Sequence, residues 1–361
     1  MRLWRPNLLP LDEKSGHTLL VVKLSALGDV IHALPAVHAL KTRYPWLPIS
    51  WVVEDRCAPI LYRCPHLKEV IVFPRQTIKF LWEKGEKGKA LSHLWEFLKG
   101  LRARKFSHSI DLQGLAKSAL MVMAAGAKER IACTGLKEGS SLITRSVPEG
   151  EGIHAVERNL KVAEFLGAGV KEAYFPIILQ EEEKDRAEAL LCGDEEKKPL
   201  VGLHLGASLP QKTWSFGKWQ ELIGELQHQE KGLGLVLLGL ERDRDLAENL
   251  MAGAEDPLID LTGKTGLFEL AAVLSLLRVL VSGDSGPLHI AAALGIPVVG
   301  LYGPDHPRFT GPYTGRGVVI QKGLSCSPCY KRPSCAAPYP CMEAISAGEV
   351  LEAVKNFLYG Y

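Results

Sequence analysis

Three segments of this sequence combine side chains able to do chemistry with residues able to place them. The first is Lys23-Leu24-Ser25-Ala26-Leu27-Gly28-Asp29-Val30-Ile31-His32-Ala33-Leu34-Pro35. An apolar run enters a short loop with one glycine and continues as a helix carrying Ile31, Leu34 and Val37. Asp29 stands where that helix begins. A carboxylate there can cap the free amides of the first turn, or it can point into a cleft and take a proton as a general base. The second segment is Gly202-Leu203-His204-Leu205-Gly206-Ala207-Ser208, followed by Gln211-Lys212-Thr213-Trp214. Lys212 follows a glycine turn and precedes a helix. Its ammonium could neutralise a phosphate, or it could be an ordinary solvated loop lysine. The third segment is Ser282-Gly283-Asp284-Ser285-Gly286-Pro287-Leu288-His289. Gly283 and Gly286 let backbone approach a ligand, Pro287 suits a first helical turn, and the free amides at that end attract an anion. His289 falls on the same turn. The plainer alternative is a helix capped by Asp284 or Ser285, with His289 satisfied locally.

Asp243-Arg244-Asp245 has the form of a metal-nucleotide signature. It opens a charged helix after Gly239, however, and there Asp243 or Glu241 suits a hydrogen bond to a ribose better. Residues 75–106 carry nine basic side chains against three acidic ones, interleaved with Phe80, Trp82, Trp95, Phe97 and Phe106. That stretch is either a solvated helical hairpin with core aromatics or a surface for an anionic amphiphile or a membrane face. Arg2, Trp4 and Arg5 of the N-terminal arm could add to it. Cys326, Cys329, Cys335 and Cys341 read C-x2-C-x5-C-x5-C. Four thiolates can close a tetrahedral metal site, yet Pro328, Pro333, Pro338 and Pro340 stiffen this loop. Free thiols or a reversible disulfide are the other readings.

The elements that must position these residues follow from the apolar pattern. Strand-like runs at 19–24, 49–53, 70–73, 107–112, 200–204, 234–238, 279–282 and 297–301 are joined by helix-length segments. Such continuous β-branched runs indicate parallel sheets covered on both faces. A charge-rich stretch and a polar turn at 180–198 divide the chain into two Rossmann-like halves. Each chemistry-bearing segment lies where a strand ends, which is where doubly wound sheets bind ligands. No GxGxxG occurs, so a nicotinamide enzyme loses support. With 47% hydrophobic residues, 23% charged residues and a net charge of +2, the chain is neither disordered nor a globally basic nucleic-acid binder. No apolar run reaches the roughly 18 residues a membrane span needs. The first residues lack the apolar core of a secretory signal, so the cytoplasm is the expected compartment.

With these motifs in order, the sequence resembles glycosyltransferase family 9, the lipopolysaccharide heptosyltransferases. The resemblance rests on residues 25–35, Trp51-Val52-Val53-Glu54, Asp111-Leu112-Gln113-Gly114-Leu115-Ala116-Lys117-Ser118, Lys212-Thr213-Trp214 and Asp284-Ser285-Gly286-Pro287-Leu288-His289. The Trp-Val-Val-Glu and Asp-Leu-Gln-Gly segments, with His154-Ala155-Val156-Glu157-Arg158-Asn159, are most similar to heptosyltransferase I. The cysteine cluster is more similar to heptosyltransferase II, which with other donors or acceptors in the family remains the alternative.

The resemblance implies an α/β, GT-B fold with two Rossmann-like doubly wound domains facing a central cleft. Residues 1–180 would take the acceptor and 181–345 the nucleotide sugar, with a helix in 346–361 crossing back to the first domain. It implies inverting, metal-independent transfer from ADP-heptose to Kdo-lipid A, with no cofactor. Asp29 would be the base, and Ser208, Lys212, Asp243, Asp284, Ser285, Gly286 and His289 would hold the donor. Lys79, Lys84, Lys87 and Lys89 would meet the acceptor. Partners would be the nucleotide sugar, the Kdo-bearing lipid and, by peripheral contact, the cytoplasmic face of the inner membrane, with no nucleic acid.

Overall fold

The computed structural model describes all residues except 1–8, 134–137, 139–141, 149, 151, 192–197, 331–334 and 361. Arg2, Trp4 and Arg5 of the N-terminal arm lie outside the described residues. The chain forms two compact units, Met1–Ile178 and Leu179–Tyr361.

The first unit is built on β1 (Leu19–Val22), β2 (Ile49–Glu54), β3 (Glu69–Phe73), β4 (His108–Asp111), β5 (Glu129–Cys133) and β6 (Arg145–Val147). Their order in the sheet is β3-β2-β1-β4-β5-β6, with every pair parallel. β1 and β2 are buried at every residue, as the apolar run of β1 and the largely apolar run of β2 require of strands covered on both faces. Leu20 and Val22 of β1 pack with Val52, with Leu101 of the helix Lys87–Ala103, and with Met121 and Val122 of the helix Ala116–Ala125.

The second unit repeats the plan with β7 (Leu200–His204), β8 (Gly234–Leu238), β9 (Ile259–Asp260), β10 (Val279–Gly283), β11 (Val298–Tyr302) and β12 (Gly317–Gln321). The order β12-β11-β10-β7-β8-β9, counted from β7, is that of the first sheet. In both units the strand order reverses beside the first strand, between β1 and β4 and between β7 and β10. There the register sets Val22 against Asp111 and His204 against Ser282. A crevice opens at the carboxyl ends of such a pair because the helices on either side run to opposite faces of the sheet.

Four strands are absent from the apolar pattern of the sequence: β5, β6, β9 and β12. β6, β9 and β12 are short or edge strands with half-exposed residues, and β5 begins with Glu129 and Arg130. The C-terminal helix Ala347–Tyr359 buries Val350, Leu351, Ala353 and Val354 in the core of the second unit, against the helix Phe216–Gln229 and strands β10 to β12. A reciprocal Ser346–Glu349 capping box starts it.

Each sheet buries a histidine near its switch point. Burial, reinforced by His17, pushes His108 down to about 4. Burial, reinforced by Arg242, does the same to His204, also to about 4. As pH falls below the ordinary 6.5, the unfolded chain takes up these protons before the native chain does. Stability is therefore complete above about pH 6.5 and lost towards about pH 4, at up to roughly 1.4 kcal/mol per pH unit per histidine. Urea melts should show this slope, and His108→Gln or His204→Gln should remove part of it. A wild-type midpoint unchanged between pH 7 and pH 5 would contradict it.

Candidate active site

In the first unit the site grows out of the ends of β1 and β4. Lys23 follows β1 directly and is 2% exposed. Its Nζ donates to the Leu112 carbonyl at 2.9 Å and stands 3.5 Å from Asp29 Oδ1. Burial lowers the lysine's proton affinity, and Asp29 opposes that loss. The loop after β4 braces itself on Asp111. Its carboxylate accepts the Gln113 and Gly114 amides at 2.8 and 3.0 Å and the Ser118 hydroxyl at 2.9 Å. Gly114 turns at φ +73°, which a side chain would oppose. So held, Gln113 Oε1 accepts the Leu24 and Ser25 amides at 2.9 and 3.2 Å and fixes the loop that leads to Asp29.

Asp29 itself lies in the first turn of the helix Leu27–Ile31. Its Oδ2 accepts the Ala26 amide at 3.2 Å, and its side chain remains about one-third exposed, at 35%. It therefore does bond the helix start, as the plainer reading has it. An ionised carboxylate nevertheless offers about four acceptor positions. The contacts to Ala26 and Lys23 leave room for a hydroxyl.

Beside it, at the end of β2, the buried Glu54 carboxylate holds Arg75 Nη1 and Lys117 Nζ, each at 2.7 Å. Burial resists its ionisation, but the two cations outweigh that and hold it below the usual range. Arg75 opens a hairpin of helices Arg75–Glu83 and Lys87–Ala103. Lys79, Lys84, Lys87 and Lys89 are exposed on this hairpin. Lys79 pairs with Glu83 at 3.5 Å and Lys89 with Glu86 at 2.6 Å. Lys84 lies 4.4 Å over the Phe80 ring and Lys87 5.5 Å over Trp82. Phe80, Trp82, Leu91 and Trp95 are all more than half exposed, Trp95 the most at 67%.

In the second unit, the ends of β7 and β10 are tied by the Ser282 hydroxyl. It lies 3.2 Å from His204 Nδ1 and 2.8 Å from the Ser285 hydroxyl. Ser285 precedes the helix Gly286–Ala293, yet its side chain makes no capping bond to that helix. The amides of the first turn are left for another acceptor, contrary to the capped alternative. Asp284 gathers the charged groups: Lys212 Nζ pairs with it, His289 Nε2 lies at 3.4 Å, and the Tyr302 hydroxyl donates at 3.2 Å. Burial opposes ionisation of Asp284, but the bond from His289 and the charge of Lys212 hold its carboxyl well below the usual range. Lys212 also pairs with Asp305 from the turn after β11. Burial weakens the lysine's hold on its proton, and the two carboxylates more than restore it.

Asp243 lies at the ends of β7 and β8. Its Oδ2 accepts the Leu240 amide at 2.8 Å, and a Cβ at Gly206 would collide with its carboxylate. Glu241 is engaged by Arg244 at 2.7 and 2.8 Å, which leaves Asp243 the better placed of the two ribose candidates. Ser208 is exposed in the turn between β7 and Lys212.

Cys326, Cys329, Cys335 and Cys341 lie within electrostatic reach of one another. Among the described residues no three His, Cys, Asp or Glu side chains are placed to hold one ion, and Cys326, Cys329, Cys335 and Cys341 are all free thiols. Cys341 is drawn into the core with Met342 and Ile345, whereas Cys326 is exposed.

The sequence motifs thus gather into two clusters: Asp29 in the first unit, and Lys212, Asp284, Ser285, Gly286 and His289 in the second. Lys23, Gln113, Tyr302 and Asp305 belong to the same clusters and were not singled out. A lysine inside an apolar strand run was one signal. The other was Tyr302-Gly303-Pro304-Asp305, a strand end followed by a glycine turn, like those already chosen.

A model of glycosyltransferase family 9 (heptosyltransferase) matches residues 94–339. Lipopolysaccharide heptosyltransferase 1 of Pseudomonas aeruginosa is 33% identical over 87% of this chain and 86% of its own length. The chain belongs to glycosyltransferase family 9. A family 9 glycosyltransferase of Veillonella parvula superposes with a TM-score of 0.81 at 23% identity, covering 98% of this chain and 100% of that one. The heptosyltransferase WaaC of E. coli, solved with ADP-2-deoxy-2-fluoro heptose, superposes with a TM-score of 0.71 at 25% identity, covering 94% and 99%. This family 9 enzyme therefore shares both sheets of the fold with solved glycosyltransferases.

In this enzyme Lys212 is placed by backbone contact as well as by charge. A Cβ at Gly283 would stand 2.5 Å from the Lys212 carbonyl oxygen. Gly283→Ala should therefore cost about 1–3 kcal/mol, read as earlier urea unfolding of the second unit. Unchanged unfolding would show that the Lys212 turn gives way freely.

Proposed function

We propose that this enzyme transfers heptose from ADP-heptose to the Kdo sugars of lipid A, with inversion at the anomeric carbon and without a metal. The second unit binds the donor and the first the acceptor. The observation that carries this reading is the pairing of a nearly buried lysine, Lys212, with an uncapped helix start at Gly286, both at the β7–β10 switch point. Departure of ADP builds negative charge on the diphosphate. An ammonium and a row of helix amides stabilise that charge in place, without reorganising at the moment of reaction. Ser208 lies in the turn that leads to Lys212, His289 on the first turn of the helix Gly286–Ala293, and Asp243 accepts from the ribose. WaaC, a relative of known structure, carries an ADP-heptose analogue.

Inverting displacement needs the acceptor hydroxyl opposite the leaving group and a base to take its proton. Asp29 is that base. Lys23 Nζ stands 3.5 Å from its carboxylate, and the Gln113 brace holds its loop. ADP release from ADP-heptose with Kdo-lipid A tests the assignment. Asp29→Asn should lower turnover by about 10²–10⁴ while binding ADP-heptose as the wild type does. Near-normal turnover would remove Asp29 from this role, and faster turnover on an already mono-heptosylated acceptor would make the chain a second heptosyltransferase.

The acceptor sits in a lipid surface, and the exposed hairpin suits that setting. Lys79, Lys84, Lys87 and Lys89 meet its phosphates and carboxylates. Trp82 and Trp95 enter the interface of the cytoplasmic face of the inner membrane, where amphipathic rings are favoured. Trp82→Ser with Trp95→Ser should reduce cosedimentation with phosphatidylglycerol vesicles at least several-fold, with no change in thermal stability. Equal sedimentation of variant and wild type would dismiss this membrane face.

A further inference from the structure

The Lys212 cluster contains one carboxylate more than the proposed donor site needs. The ammonium pairs with Asp284 and Asp305 together, and all three side chains are less than one-fifth exposed. One cation and two ionised carboxylates carry a net negative charge. That is the wrong sign for a pocket that is to admit a diphosphate. Like charges sharing a buried site resolve the conflict by keeping a proton on one of them.

The surroundings decide which carboxyl group holds it. Asp284 is stabilised as an anion by His289 and by the Tyr302 hydroxyl, as well as by Lys212. Asp305 is faced by Lys212 from the turn after β7 and by Asp284 from the end of β10. Tyr302 of β11 and Cys329 of the following loop lie within electrostatic reach of it. The bond it receives from the β12 side chain Gln321 goes to its backbone carbonyl and leaves the carboxyl alone. His306, next to it, turns its Nδ1 to the Arg308 amide. Among these neighbours Lys212 is the one cation, and it is shared. Burial and the Asp284 charge both favour the protonated form of Asp305.

We propose that Asp305 is a positioning residue that sets the charge of the Lys212 cradle: donor binding protonates Asp305, which releases Lys212 from one of its two carboxylates towards the diphosphate. The inference rests on the donor reading above and deepens it. The sign follows from linkage. An added diphosphate raises the proton affinity of Asp305 further, so binding takes up a proton wherever free Asp305 is ionised. Affinity then rises as pH falls, and it levels off once the free protein is already protonated.

ADP-heptose is the suitable probe. Its diphosphate is a diester and lacks the second ionisation near pH 6 of a phosphate monoester. Calorimetric titration into the full chain, in two buffers of different ionisation enthalpy and from pH 5.5 to 8.5, measures proton uptake and Kd together. The wild type should take up as much as one proton per ADP-heptose, and its affinity should weaken by up to about tenfold per pH unit on the alkaline side. Asp305→Asn should take up none, show a flat profile and bind more tightly than wild type at pH 8. Asp305→Glu should restore uptake. Binding by the wild type without proton uptake overturns the proposal even if no variant folds. So does an Asn variant that keeps the wild-type slope. No binding of ADP-heptose by the wild type at any pH overturns the donor reading itself, and this inference with it.

Discussion

Everything chemical in this protein hangs from two places where strand order reverses in a parallel sheet. Between β1 and β4, and between β7 and β10, adjacent strands send their chains to opposite faces, and the loops that leave them diverge. Strands buried at every residue are the precondition, because only a sheet covered on both faces can hold a loop origin still. The long apolar runs of β1, β7 and β10 are thus part of the active-site argument. They fix where Lys23 and Asp284 emerge from the core, and the side chains do the rest over a few ångströms.

Over that short distance the chain uses one device repeatedly, a buried charge held by partners of opposite sign or by backbone. Lys23 is held by the Leu112 carbonyl and Asp29, Glu54 by Arg75 and Lys117, and Lys212 by Asp284 and Asp305. Leaving any one of these charges without its partner would cost about 3–5 kcal/mol. Each group therefore has little freedom to turn elsewhere. That constraint orients Asp29 and Lys212 before any substrate arrives. The exposed lysines of the hairpin are the opposite case. Lys79 and Lys89 make solvent-screened pairs along their own helices, worth little and easily exchanged for an anion.

How much of this was legible in the sequence depends on how much each element owes to its neighbours. The central strands could be read because burial on both faces demands an apolar run from the strand itself. β6, β9 and β12 could not, because they are edge strands without the apolar run that the edge strand β3 keeps, and they take their definition from the strand they pair with. Asp29 was legible in position, but whether it was cap or base could not be decided by spacing, and the structure shows why: one oxygen bonds Ala26, the other faces Lys23, and acceptor positions remain on both. Asp305 is remote in sequence from Lys212 and joins it only because β11 lies beside β10. For the C-terminal helix, amphipathic spacing tells that a face is buried and does not tell that the helix Phe216–Gln229 and strands β10 to β12 bury it. Cysteine spacing has the same limit: it allows four thiolates to converge, and it does not tell that Cys341 is drawn into the core while Cys326 stays exposed.

The near balance of 43 basic against 41 acidic residues is then the sum of two unlike populations. Inside both units buried charges are held by partners of opposite sign, because a charge left alone there is strongly destabilising. Residues 75–106 keep an excess, nine basic to three acidic, because water tolerates it at the surface. A surplus kept at the surface next to exposed tryptophans can be compensated only from outside the molecule. A catalytic charge inside must already be compensated from within. The same side chain, lysine, therefore serves two ends: buried and doubly paired at 212 it is an instrument of position, and exposed at 79 to 89 it is a field.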